Sequence, residues 1–286
     1  MEASNNELAN DEWLPGEPQL SIVVPAFNEA SRISTAIDDI VANIPVGVGT
    51  SWELIVVDDG SQDRTAEVVC EISDAVPSLR LLHHSTNQGK GAAVRTGVLA
   101  AKGRFVVFAD ADGATPFSEA DKLLQAVREG AGLAVGTRIS GAGVQRSLLR
   151  SVMAAAFRLS VRSLTSVRER DTQCGFKMFE RQTARILFQR SRETGYLFDL
   201  EILGLASRLG LVIREVPVMW REVAGSRVRL VQDSWNMLVG LFRVRHTLRG
   251  VAGRLRDSES SGNVSTILRV PPTAGDVPAT TLRSGA

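Results

Sequence analysis

The sequence predicts an α/β protein with a mostly parallel sheet and helices on both faces. Three observations carry this. Short apolar runs alternate with amphipathic stretches from Leu20 to Gly136. The runs are apolar throughout, as in strands buried on both faces, rather than alternating in and out. Three of the first four end in polar or acidic loops, which sets a ligand crevice along one sheet edge.

The elements follow in order. Residues 1–18 are polar and acidic and read as a disordered arm. Leu20–Pro25 is a buried strand, and an amphipathic helix follows over about Ala30–Asn43. Glu53–Val57 is the second strand, with a helix at Thr65–Ser73. Arg80–His84 is the third, and Asn87-Gln88-Gly89-Lys90-Gly91 opens a helix to Ala101. Phe105–Ala109 is the fourth, then a helix near Ser118–Glu129 and a strand at Gly132–Gly136. Beyond Gly141 the pattern changes. Gln145–Arg168 reads as an Arg-rich helix, Asp171–Phe179 as strand or loop, and Arg181–Gln189 and Phe198–Leu209 as helices. Leu211–Trp220 is a strand interrupted by Pro217, hence at an edge. Asp233–Arg249 is a basic amphipathic helix, and the tail to Ala286 is rich in Ser, Thr, Pro and Gly and reads as disordered.

Composition excludes some classes. The chain has 286 residues, 44% hydrophobic and 23% charged, enough for a sizeable core. A net charge of +1 argues against a bulk nucleic-acid binder. Its distribution is uneven. Met1–Gln19 holds five acids and no Lys or Arg, whereas Arg221–Arg256 holds eight Arg and two acids. Such asymmetry suits an anionic ligand or surface near the second half, against the alternative of solvated helix faces. Cys70 and Cys174 form no framework and have no metal-ligand spacing, so both are expected to stay reduced. No signal-peptide pattern opens the sequence, and no apolar run reaches the ~18 residues of a membrane span.

The chemistry centres on Asp110-Ala111-Asp112-Gly113, at the end of the fourth strand. Two carboxylates one residue apart repel unless a cation neutralises them. Asp is a hard oxygen ligand, so the pair suits Mg²⁺ or Mn²⁺ bridging to a diphosphate. Taken alone, the same residues could be only a turn. A dinucleotide fold is disfavoured: the first turn, Pro25-Ala26-Phe27-Asn28-Glu29, has no glycine, and no Walker A loop occurs.

Pro25–Glu29, Val57-Asp58-Asp59-Gly60-Ser61, Asn87–Gly91, Asp110–Asp112 and Gly136-Thr137-Arg138 occur in that order. Together they resemble the inverting family 2 glycosyltransferases of the GT-A fold, a single Rossmann-like domain. Gln145-Arg146-Ser147, Asp171–Lys177, Phe198–Glu201 and Trp220–Arg227 narrow the resemblance to the dolichyl-phosphate β-glucosyltransferases, with dolichyl-phosphate mannose synthases as close relatives. The match covers about Leu20 to His246. Two departures stand out: a polar arm where the eukaryotic glucosyltransferases carry a membrane anchor, and Arg227 where Lys is usual.

The resemblance implies a nucleotide-sugar half at 19–140, an acceptor half with amphipathic helices at 141–250 and a disordered tail at 251–286. It implies Asp110 and Asp112 as metal ligands. Pro25, Phe27, Glu29, Val57, Asp59, Lys90, Ala111, Arg221 and Arg227 would join them around a UDP-sugar. Asp59 would hold the uracil; alone, it could equally be a turn former. Arg138, Arg146 and Arg150 would bind the phosphate of a polyprenyl acceptor, with Arg138 also catalytic; guanidinium forks suit phosphate. A phosphate monoester is already anionic at neutral pH, with a second pKa near ~6, so no general base is needed. His83, His84 and His246 then read as structural or solvated. Asp199 is expected to be structural, orienting a nearby Arg. The expected reaction is inverting transfer of glucose from UDP-glucose to a dolichyl-type phosphate, at the cytoplasmic face of a membrane, with the protein peripheral to it. The alternative is another family 2 reaction, with GDP-mannose or a UDP-N-acetylhexosamine as donor or a hydroxyl as acceptor.

Overall fold

The computed structural model describes residues 14–139, 161, 163, 165, 167–221, 240–250 and 280–282. Among them, eight strands form one sheet in the order β7-β5-β6-β4-β1-β2-β3-β8. The strands are β1 (Leu20–Ala26), β2 (Trp52–Asp58), β3 (Leu79–His83), β4 (Phe105–Ala109), β5 (Leu133–Ile139), β6 (Phe176–Glu180), β7 (Ile213–Met219) and β8 (Thr280–Leu282). The helices are α1 (Ile33–Ala42), α2 (Thr65–Ser73), α3 (Lys90–Ala100), α4 (Ala120–Arg128), α5 (Arg181–Arg190) and α6 (Phe198–Arg208), with a further helical stretch at 240–250.

Strands β1 to β4 are mutually parallel, as are β5 and β7. Only β6 and β8 run against their neighbours. The expectation of a mostly parallel sheet holds. The chain steps outward from β1 to β2 and β3, then returns to lay β4 on the other side of β1. In open α/β sheets a reversal of this kind is where a ligand crevice lies, here beyond the C-terminal ends of β1 and β4.

Both sheet faces are covered, as the unbroken apolar runs require. Ile22, Val24, Leu54, Val56, Phe105 and Val107 pack with Ile33, Ile37 and Ile40 of α1 and with Leu123, Leu124 and Val127 of α4. The alternate residues Val23, Ile55, Val57, Val106 and Phe108 face Ala93, Val94 and Val98 of α3, Leu187 and Phe188 of α5 and most of α6. Phe108 is fully buried and touches Phe179 and Phe198, with ring centroids 6.3 and 5.6 Å away. Burying one such ring contributes about 1.5–3 kcal/mol.

Some boundaries differ from expectation. The arm read as disordered is anchored from Leu14 onward: Pro18 O accepts from Arg104 N–H at 3.0 Å, and Glu17 pairs with Arg181. Within the tail, Thr280–Leu282 adds an antiparallel edge strand to β3; its β-branched threonines suit that position. Asp171–Phe179 divides into a loop and β6, which inserts between β4 and β5. β7 lies at the sheet edge, where Pro217 costs no ladder bond on its open side. The helix expected at Gln145–Arg168 falls mostly outside the described residues. No helix among the described residues is long and apolar enough to cross a membrane.

Candidate active site

Asp110 and Asp112 leave the end of β4 at the crevice. Asp112 Oδ1 accepts from Ala114 N–H at 3.0 Å, which fixes the turn. Asp110 is held from two sides. Its N–H donates to Gly175 O at 3.2 Å, tying the loop to the start of β6. Its Oδ1 is buried without a well-aligned hydrogen bond and is neutralised by Lys90 Nζ at 2.6 Å. The carboxylate fills the space a side chain would take at Gly175. Burial alone would lower the Lys90 pKa, but Asp110, Asp199 and Asp112 outweigh it and raise it. Lys90 is therefore a fixed cation beside the carboxylate pair.

No cluster of three or more metal-ligating side chains occurs among the described residues. The pair nonetheless fits a hard divalent cation of the Mg²⁺ or Mn²⁺ type. Such ions are commonly held by one or two carboxylates, with substrate phosphates and water completing the shell.

The Asp58-Asp59-Gly60-Ser61 turn fixes the neighbouring wall. Asp58 is fully buried, bonded to Ser61 and, at 2.9 Å, to His83 Nδ1. Asp59 Oδ1 meets His84 Nδ1 at 2.7 Å and accepts from Gln88 N–H at 2.9 Å; Oδ2 accepts from Gly89 N–H at 2.8 Å. Three of about four acceptor positions on Asp59 are thus spent inside the protein. Its first task here is to hold the loop that delivers Lys90. Gly60, with φ of +72°, lets the backbone at Thr86 pass where a Cβ would sit 2.5 Å away. His83 and His84 are structural partners of these aspartates.

The glycines around Lys90 have a steric reason too. A Cβ on Gly91 would lie 2.6 Å from Glu193 O and 2.7 Å from Phe198 Cβ, and one on Gly89 would collide with Thr194 O. Their absence lets the loop at 193–195 close over the start of α3. There Thr194 O accepts from Gly91 N–H at 2.7 Å and Ala92 N–H at 3.2 Å. These are two of the donors a helix start leaves unsatisfied.

Beneath the edge lies a buried ion pair. Lys177 on β6 is fully buried, and its Nζ meets Asp199 Oδ1 at 2.5 Å and Cys174 O at 2.6 Å. Burial pushes the Asp199 carboxyl up, Lys177 and Lys90 pull it down, and the net direction is up. The expected arginine partner of Asp199 is in fact a lysine, Lys177.

The remaining expected residues divide. Pro25 and Val57 are buried in β1 and β2, and Phe27 follows β1. Glu29 Oε2 and Oε1 accept from Arg32 Nε and Nη2 at 2.7 and 2.8 Å, so it enters the site as a closed pair. Arg138 leaves β5 with its fork on Asp171, at 2.6 and 2.7 Å, and its guanidinium over Trp220, 5.5 Å from the ring centre. An acceptor phosphate would share that fork with Asp171. Arg221 N–H donates to Ala114 O at 2.8 Å, which brings the end of β7 to the Asp110–Asp112 loop. Arg146, Arg150 and Arg227 lie outside the described residues. Asp171, Gly175 and Lys177 lie within the family-like Asp171–Lys177 stretch, but the sequence alone assigns them no role. Their contacts arise because β6 runs antiparallel and starts where β4 ends.

The sequence model of Glycosyl transferase family 2 matches residues 21–189. A dolichyl-phosphate beta-glucosyltransferase of Saccharomyces cerevisiae is 35% identical over 260 residues, 84% of this chain and 77% of that one. A Drosophila melanogaster protein of the same name is 42% identical, over 73% of this chain and 69% of its own. Glucosyl-3-phosphoglycerate synthase from Mycobacterium tuberculosis, crystallised with Mn²⁺, UDP-glucose and phosphoglyceric acid, shares the fold. Its TM-score is 0.60 at 22% identity, covering 81% of this chain and 80% of that one. A match over more than half the chain, joined by relatives at this identity, places the protein in glycosyltransferase family 2.

Proposed function

We propose that this protein transfers glucose from UDP-glucose to a dolichyl-type polyprenyl phosphate, with inversion. The observation that carries the reading is the crevice edge. Asp110, Asp112 and Lys90 converge there, in a chain whose likeness to dolichyl-phosphate β-glucosyltransferases runs through both halves. The departing UDP gathers negative charge on its diphosphate. Lys90 would supply one cation to it, and Arg221 and Arg227, by the family resemblance, would add more. A divalent cation on Asp110 and Asp112 would supply Lewis-acid neutralisation of the same charge. The attacking oxygen belongs to a phosphate that is anionic at neutral pH, so the protein must orient it rather than deprotonate it. Arg138, Arg146 and Arg150 are the proposed acceptor-phosphate ligands, with Asp171 holding Arg138 in place before the acceptor arrives.

A lipid acceptor suits a protein peripheral to a membrane, at its cytoplasmic face. Leu241, Val244 and Leu248 of the 240–250 helix are buried in the core, so its apolar stripe is a packing face. The outer face still offers exposed Phe242 with Arg249, and the stretch contains no acid. Basic and aromatic surfaces of this kind bind anionic bilayers. Binding to phosphatidylserine-containing vesicles should weaken as salt rises.

The test is incubation with radiolabelled UDP-glucose, GDP-mannose or UDP-N-acetylglucosamine, each with polyprenyl phosphate and Mg²⁺ or Mn²⁺. Label should enter the lipid from UDP-glucose. Label from another donor, or transfer only to a hydroxyl acceptor, would replace this reading with the alternative one.

A further inference from the structure

We infer that Glu201 is a positioning residue for the donor site, acting from outside it through the loop at 191–195. The inference rests on the reading of the Asp110 edge as the nucleotide-sugar site. Glu201 lies in the first turn of α6 and is fully buried. Its Oε2 accepts three hydrogen bonds: Ser191 Oγ–H at 2.6 Å, Arg192 N–H at 2.8 Å and Glu193 N–H at 2.8 Å. Its Oε1 is buried with no hydrogen-bond partner among the described residues. One oxygen of a buried anion is therefore devoted to a single loop. Bonds of this charge-assisted kind are roughly twice as strong as neutral ones.

The loop passes this order onward. One residue after Glu193, Thr194 O takes the N–H groups of Gly91 and Ala92, at 2.7 and 3.2 Å. The missing side chains of Gly89 and Gly91 permit that approach. Lys90 stands between these glycines, and its Nζ lies 2.6 Å from Asp110 Oδ1. Any shift of the loop is thus delivered to the backbone that carries Lys90. From outside, Arg243 Nε holds the Glu193 carboxylate at 2.6 Å, which fixes the loop on the 240–250 helix. Glu201 touches neither donor nor reacting atoms; it sets where Lys90 meets Asp110.

Glu201→Gln keeps shape and one acceptor oxygen, but loses the charge and adds an amide N–H₂ where Oε1 now has no partner. Ser191→Ala removes one donor of the three and is the milder probe. Hydrogen exchange by mass spectrometry is read without substrate, beside donor and acceptor KM with UDP-glucose and a short polyprenyl phosphate. A neutral hydrogen bond is worth about 1 kcal/mol, roughly a fivefold effect, and a charge-assisted one more. For Glu201→Gln the expectation is about tenfold faster exchange in residues 86–94 as well as 190–196. Donor KM should rise about tenfold, with acceptor KM unchanged. Ser191→Ala should give about a threefold version of the same pattern, and decides the matter if Glu201→Gln does not fold. Faster exchange confined to 190–196, or equal rises in both KM values, would overturn the inference. If the wild type uses no UDP-sugar, the functional reading fails on its own. Exchange at 86–94 then still decides whether Glu201 sets the position of Lys90.

Discussion

Gly175 and Asp110 share one space: a Cβ built on Gly175 would fall within the Asp110 carboxylate. Gly175 has no positive φ, so an alanine there meets no backbone strain, and the clash is purely with the side chain. The residue before β6 must therefore be glycine if Asp110 is to lie back against it with Oδ1 on Lys90. Gly175→Ala should push the carboxylate into the crevice and off Lys90. A misplacement of about 1 Å at reacting groups can cost about 10²-fold in rate. We expect a loss of that order in kcat, with only a small change in the unfolding midpoint. A variant at wild-type turnover would show that Asp110 need not occupy this position.

Among the described residues Asp112 makes one hydrogen bond, accepting from Ala114 N–H through Oδ1. An amide oxygen could keep that bond, so Asp112→Asn should fold normally while losing the negative charge proposed to hold a divalent cation. Metal-dependent transfer should fall by about 10²–10³-fold, the scale of a lost electrostatic contact in a transition state. Mn²⁺ titration followed by electron paramagnetic resonance should show weaker binding in the same variant. Unchanged Mn²⁺ affinity would remove Asp112 from the metal site.

Much of this arrangement is legible in the sequence, for a physical reason. Strands such as Phe105–Ala109 are apolar on both faces because both faces are covered, so their runs are unbroken and easily read. The carboxylates after them cannot be core residues and so mark the crevice edge. The partners are harder to read. Nothing near Asp199 in the chain points to Lys177, 22 positions away, or nothing near Gly89 to Thr194. Those contacts depend on β6 entering antiparallel beside β4, a topological fact that apolar periodicity does not encode. The apolar stripe of a basic amphipathic helix such as Asp233–Arg249 looks the same in sequence whether it faces a core or a lipid. Burial of Leu241, Val244 and Leu248 decides for the core over that stretch.

The Arg138–Asp171 pair gives a stability signature with a definite sign. Burial alone would raise the Asp171 carboxyl, but the Arg138 guanidinium outweighs it and holds the pKa below its ordinary 3.8. The unfolded chain therefore takes up the proton first as pH falls. The pair's stabilisation is fully present above about pH 4 and is lost as pH drops through the folded-state value. Arg138 is about a third exposed, so the contribution is modest, about 0.5–1 kcal/mol. Asp171→Asn should lower the urea midpoint at pH 7, and the gap to wild type should narrow as pH falls below about 4. A gap that persisted at low pH would mean that Asp171 acts through packing rather than charge.

Lys177 and Asp199 pose the question of the catalytic base. A hydroxyl acceptor would need a carboxylate near the sugar, and Asp199 follows the site in sequence where such a group could be kept. The structure gives it another occupation: it is buried against Lys177, at 2.5 Å, with Lys90 as a second cationic neighbour. Asp199→Asn leaves the Lys177 ammonium buried without its counter-charge, which typically costs about 3–5 kcal/mol. The loss should be largely recovered in the double variant Lys177→Met with Asp199→Asn, because no buried charge is then left unpaired. The rate should fall through disorder beneath Lys90. Its pH dependence should nevertheless keep its shape and follow the second ionisation of the acceptor phosphate, near ~6. A true general base contributes about 10²–10⁴-fold and takes its titrating limb with it when removed. The decisive measurement is the pH–rate profile of a folded Asp199 variant at saturating donor. Disappearance of the limb, with donor and acceptor affinities unchanged, would identify Asp199 as the base. It would also move the acceptor from a lipid phosphate to a hydroxyl.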